Sequence, residues 1–175
     1  MNIKSKLTIL VAIIFSLSFG LTKISYSDGH GGGMAVPKIE VTTVLEGMKN
    51  PWDMAFTNDG KAMFFTEKLD GLSVLIGGKV HKLIGMKGSS GYEQTADDLF
   101  SYGAQEGMLG VVLDSDFDNN RTLYLYSTSN KYHGDGCKTN FERCDGNIVM
   151  KWTVAKNMKS LSNRVDIVKD IQFKP

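Results

Sequence analysis

The feature that most constrains this chain is a four-strand pattern that occurs twice. Short runs rich in Val, Ile, Phe, Tyr and Thr alternate with Gly, Asn and Asp: DMAFT (53–57), AMFFTEK (62–68), LSVLI (72–76) and KVHKLI (79–84). A second set follows: LGVVLD (109–114), TLYLYSTS (122–129), NIVMKWTV (147–154) and VDIVKDI (165–171). Such runs suit pleated, half-buried strands, and the intervening residues suit turns. Asp59-Gly60 and Gly77-Gly78 are two-residue hairpin signals, because glycine takes positive φ without steric cost. MAFTNDGKAMFFT and VVLDSDFDNNRTLYLY align with a displacement of 57 to 60 residues. The third strands, LSVLI and IVMKW, are 76 residues apart, the difference being an insertion that holds both cysteines.

A four-stranded unit that repeats in this way is the pattern of a β-propeller blade. The expected fold class is therefore all-β, with blade one at about 50–85 and blade two at about 108–172 inside a partial propeller domain, 39–175. IEVTTVLEG (39–47) alternates and is predicted to be an additional N-terminal strand. Blades bury their apolar faces against neighbours, and a ring needs about four of them to close. Two blades leave apolar faces and open edges, so the reading is of part of a larger assembly.

The first 27 residues differ from the rest. Lys4 and Lys6 precede the apolar run Leu7 to Leu21, and Ser25 and Ser27 supply small residues before Asp28. This is the layout of a secretory signal peptide (1–27), and the run is shorter than the roughly 20 residues of a membrane span. The predicted location is secreted or periplasmic, with no membrane span after cleavage. A flexible leader, 28–38, follows. Removal of the signal leaves 17 basic against 19 acidic side chains, so no basic surplus exists for nucleic acid. In an exported chain the single pair Cys137 and Cys144 is a disulfide candidate, worth about 2.5 kcal/mol for so short a loop. It lacks the second pair that a tetrahedral metal site requires.

Other chemistry-bearing residues have plain structural readings. His81 sits on an alternating run and reads as an edge or solvated side chain; His133 reads as a loop residue of the insertion. Asp114, Asp116 and Asp118 share the spacing of a calcium loop, but Asn119 stands at the glycine position and Leu125 at the bidentate glutamate position. An Asx-rich connection is the better reading. Asp97 and Asp98 read as a surface acidic pair. Asp28-Gly29-His30, if it begins the mature chain, has the spacing of a square-planar copper(II) or nickel(II) chelate. Trp52, Phe64, Phe65, Tyr124, Tyr126 and Trp152 are expected in the core between blades.

The segments NPWDMAFTNDGKAMFFTEKLDGLSVL, GAQEGMLGVVLDSDFDNNRTLYLYST and NIVMKWTV resemble the N-terminal third of the soluble quinoprotein sugar dehydrogenases, the glucose/sorbosone and aldose sugar dehydrogenase family. The resemblance covers about Val41 to Pro175. It implies a six-bladed propeller that binds pyrroloquinoline quinone (PQQ) and calcium, oxidises an aldose at its anomeric carbon and passes electrons to an external acceptor. The family's amide residue near the cofactor falls on Gln105, with Gly103 and Gly107 expected to let the backbone approach a flat ligand. The family's catalytic His-x-Gly-Gly segment is expected beyond Pro175, so no catalytic residue and no metal ligand is carried over. The expectation is an N-terminal portion, inactive alone. The alternatives are a secreted, non-catalytic binding module derived from a propeller, or a truncated relic.

Overall fold

The structure, a computed structural model, describes residues 37–93, 96–101, 105–132 and 146–172. The chain separates into two compact units, Met1–Val44 and Leu45–Pro175. The described part of the first, 37–44, has no regular structure.

Eight strands form two four-stranded antiparallel meanders. The first sheet runs β1 (Pro51–Phe56), β2 (Ala62–Glu67), β3 (Gly71–Ile76), β4 (Lys79–Ile84) in sequence order. The second runs β5 (Met108–Leu113), β6 (Thr122–Ser129), β7 (Gly146–Val154), β8 (Leu161–Gln172). β5 begins 57 residues after β1, and β6 begins 60 after β2, which reproduces the repeat read in the sequence. The tight turns form at the predicted glycines, with φ of +68° at Gly60 and +58° and +72° at Gly77 and Gly78.

One predicted strand is absent. Residues 39–46 carry no strand, and the alternating Ile39, Val41 and Val44 stay exposed. Alternation prepares a segment for a ladder, but only hydrogen bonds to a neighbouring edge make it a strand, and among the described residues no ladder includes 39–46.

The core lies between the sheets. Phe64, Leu72 and Val74 of the first pack with Met108, Leu123, Leu125, Ile148 and Met150 of the second, all buried. Each such side chain contributes roughly 1.5–3 kcal/mol on burial. The Asx-rich DSDFDNN segment folds as one helical turn, α1 (Phe117–Asn120), closed by Arg121 in the left-handed region, whose N–H donates to the Phe117 carbonyl at 2.9 Å. This turn inserts Phe117 edge-on against Phe64, centroids 5.8 Å apart. Asn58 of the β1–β2 turn donates to Asp118 at 3.0 Å, so the corresponding turns of the two repeats touch. Asp114 accepts from the Asp116 N–H, Asn120 and Tyr124, as an Asx-rich turn does, in agreement with the structural reading of this segment.

Candidate functional site

The turn that carries Gln105 is fixed by its neighbours rather than by its own sequence. Gly107, at φ +126°, stands where an added Cβ would lie 2.1 Å from the Lys68 carbonyl oxygen. The glycine is thus required so that the turn can touch the end of β2. Gly103 lies outside the described residues. Met108 N–H donates to that same Lys68 carbonyl at 3.2 Å. On the other side, the Gly107 N–H donates to Thr128 Oγ1 at 3.1 Å. The Gly107 carbonyl accepts from the Thr128 N–H and from Ser127 Oγ, each at 3.0 Å. Thr128 Oγ1 in turn donates to Asn147 Oδ1 at 3.0 Å, and Ser101 Oγ donates to the Glu106 carbonyl at 2.8 Å. Ser127, Thr128 and Glu106 are fully buried, whereas Gln105 is exposed. The exposed Gln105 amide offers two donors and an acceptor.

Two further residues join this corner. Lys68 follows β2, and its N–H donates to the Asn50 carbonyl at 3.0 Å. Its Nζ lies 5.6 Å from the centroid of the Trp52 ring. Trp52 was expected in the core but is 55% exposed, on the same face of β1 as Met54 and Phe56. Phe64, Phe65 and Trp152 are buried as expected, and Tyr124 and Tyr126 are half-buried. Sequence reasoning missed Lys68 and the Thr128–Asn147 support. The hydroxyl run Ser127-Thr128-Ser129 at a strand end was the available signal, since three consecutive hydroxyls in a β-run have to find partners if buried.

Below this corner the sheets are stitched by side chains. Asp53 Oδ2 accepts the Val111 N–H at 2.9 Å, and Thr66 Oγ1 donates to the Leu109 carbonyl at 2.6 Å. A second polar cluster ties the β8 end to the loop after β4. Arg164 donates two bonds of 2.6 Å to Asp98 and one of 2.7 Å to Asp166. Burial raises the Asp98 carboxyl, but the bonds from Arg164 and Ser129 outweigh it and hold the group below its usual range. At Asp166 burial is likewise outweighed, by Lys131, Tyr132 and Arg164, and the carboxyl falls to about 2. Asp98 is therefore one half of a buried-edge ion pair, not a member of a surface acidic pair with Asp97. His81 is half-buried on the edge strand β4, as read from the sequence.

The exposed Gln105 amide and the Lys68–Trp52 pair lie at the two sides of the Gly107 contact. Among the described residues no three His, Cys, Asp or Glu side chains group to hold a metal. Cys137, Cys144, His133 and Asp28-Gly29-His30 lie outside the described residues. Among the described residues no helix is long and apolar enough to cross a membrane.

Known structures share this fold. The chain is similar to a glucose dehydrogenase at 22% identity and a TM-score of 0.55, over 73% of this chain and 32% of that one. It is similar to the soluble aldose sugar dehydrogenase of Escherichia coli in its apo form at 23% identity and a TM-score of 0.51, over 70% and 30%. It is also similar to the PQQ-bound aldose sugar dehydrogenase of Streptomyces coelicolor at 16% identity and a TM-score of 0.53, over 74% and 33%. The chain thus spans about a third of the length of these proteins. No curated protein matches it. The family model described as glucose/sorbosone dehydrogenase matches residues 48–174, nearly all of the compact unit just described, and the chain belongs to that family.

Proposed function

We propose that this chain supplies the first two blades of an exported quinoprotein dehydrogenase, which oxidises an aldose at its anomeric carbon with PQQ as hydride acceptor. The observation that carries the reading is the exposed Gln105 amide on its clamped turn, inside a segment that the family match covers. In this reading the Gln105 amide hydrogen-bonds a quinone oxygen, which adds no charge beside the anionic cofactor. When bound, PQQ supplies the two-electron acceptor. The chain's own residues hold and orient it: Thr128, Ser127 and Ser101 fix the turn, and Gly107 seats it on Lys68. The calcium ligands, the general base and the electron-acceptor surface belong to other parts of the full-length enzyme. The signal reading of 1–27 supports a periplasmic or secreted location, and the exported context supports a Cys137–Cys144 disulfide.

The test is a titration of PQQ with calcium chloride present, followed by quinone absorbance, on the wild-type chain and on Gln105→Ala. Weak binding that Gln105→Ala weakens further is expected, with no dye-linked glucose oxidation by either protein. Identical binding by the two proteins removes Gln105 from the cofactor site. Sugar turnover by the 175-residue chain removes the division of labour proposed here.

A second reading, a secreted module without catalysis, draws on the exposed apolar side chains of β1 and β8: Trp52, Met54, Phe56, Val165, Ile167 and Val168. A monodisperse oligomer that leaves PQQ unbound in the same titration favours it.

A further inference from the structure

Asn120-Arg121-Thr122 is an Asn-x-Thr triplet without proline, and no second Asn-x-Ser/Thr triplet occurs in the 175 residues. In an exported chain such a triplet is an acceptor for an N-linked glycan and belongs on a surface connection. Asp118, two positions before Asn120, adds the acidic residue that bacterial oligosaccharyltransferases require. Triplets of this kind arise by chance in many chains, so the fold around Asn120 has to carry the inference.

Asn120 lies in the β5–β6 connection and is exposed, as are Asp118 and Asn119. Arg121, at φ +57°, stops α1 after one turn. A continued helix would bond the Thr122 N–H to the Asp118 carbonyl. Instead this N–H turns back and donates to Asn120 Oδ1 at 2.8 Å, an Asx turn across the acceptor triplet itself. Asn120 Nδ2 donates to Asp114 Oδ1 at 2.9 Å. The Asp114 carboxyl is held below its usual range, first by the Asp116 N–H and then by Asn120 and Tyr124, so it is ionised at neutral pH. An amide nitrogen is a poor nucleophile, because its lone pair is delocalised into the carbonyl. A donor on the carbonyl oxygen acidifies the N–H, and a carboxylate on the N–H draws the proton away. The turn therefore polarises the Asn120 amide from both ends.

We propose that Asn120 is an N-glycosylation acceptor. Its Nδ2 bonds to the anomeric carbon of an oligosaccharide presented as a lipid pyrophosphate. The bond from that carbon to the pyrophosphate oxygen breaks, the lipid pyrophosphate leaves with the electron pair, and the amide gives up one proton to solvent. The step is a substitution that oxidises and reduces nothing, and the sugar stays on the chain as a modification. β5 has six residues and spans about 20 Å from the Gly107 turn to this connection. The site thus lies at the opposite end of the strand from Gln105 and stands whether or not Gln105 touches a quinone. It rests on the reading of 1–27 as an export signal, because the transferase acts on the exported side of the membrane.

The test expresses the chain in a bacterium whose periplasm carries such a transferase and its lipid-linked oligosaccharide. One arm keeps residues 1–27, and the other replaces them with an unrelated signal peptide. The second arm decides the acceptor and the first decides export. Intact mass of the periplasmic protein is expected to show a species heavier by one oligosaccharide, and fragmentation of the wild-type chain to place it on Asn120. Asn120→Gln and Thr122→Val are expected to abolish that species, Asp118→Asn to remove most of it, and Thr122→Ser to keep it. Wholly unmodified wild-type protein in the periplasm of the second arm overturns the proposal. So does a glycan on another residue, or one that survives Asn120→Gln. A glycan in the second arm, with the first arm still carrying residues 1–27 and unmodified, supports the acceptor and overturns the export reading alone.

Discussion

Arg164 grips both carboxylate oxygens of Asp98, each at 2.6 Å, across 66 residues of sequence. This fork joins the start of β8 to the loop after β4, with both side chains largely buried, 14% and 17% exposed. Bidentate geometry fixes orientation as well as distance. Asp98→Ala leaves Arg164 still bonded to Asp166, so the loss is that of charged hydrogen bonds rather than of a wholly stranded cation. A destabilisation of about 2–3 kcal/mol is expected from the urea midpoint. Arg164→Lys is expected to recover little of it, since an ammonium cannot reproduce the fork.

Acid is expected to act on the same cluster. Asp98 and Asp166 are both held below the ordinary carboxylate value, Asp166 at about 2. As pH falls, the unfolded chain takes up these protons first, near pH 4. The stabilisation is therefore complete above about pH 4 and disappears as pH falls towards 2. Urea midpoints measured from pH 7 to 5 should be flat with respect to these groups. Below pH 4 they should fall, and Asp166→Asn should flatten that fall.

Gly107 and Gly60 make a controlled pair. Both have positive φ, but a Cβ at Gly107 meets the Lys68 carbonyl at 2.1 Å, whereas one at Gly60 meets nothing within 4 Å. Gly60→Ala is expected to cost only the left-handed backbone strain, about 1–2 kcal/mol. Gly107→Ala adds a backbone collision and is expected to cost more than about 3 kcal/mol or to prevent folding. Thermal unfolding of the two variants side by side reads the difference.

Thr66 tests the polar stitching between the sheets. It is fully buried, and its hydroxyl donates to the Leu109 carbonyl at 2.6 Å while accepting the Asp53 N–H at 3.1 Å. Thr66→Val keeps the shape and strands both groups, so a loss of about 1–3 kcal/mol is expected. Thr66→Ser, which keeps the hydroxyl, should lose less than Thr66→Val under the same denaturant series.

By itself the sequence determined the strands and their order. Alternating β-branched and aromatic runs, bounded by turn residues such as Asp59-Gly60 and Gly77-Gly78, are local properties, and local sterics decide them. The repeat offset carried the division into two sheets for the same reason, because each meander closes through short turns. Residues 39–47 mark the limit of that logic: alternation is local, but a strand needs a partner edge, and among the described residues none pairs with this segment. The candidate sites depended on contacts that no spacing encodes. The collision that makes Gly107 a glycine involves a residue 39 positions earlier, and the Arg164–Asp98 fork spans 66. The solvent exposure of Trp52 and the burial of Trp152 likewise follow from which faces the two sheets turn towards each other, and only the packed chain settles that.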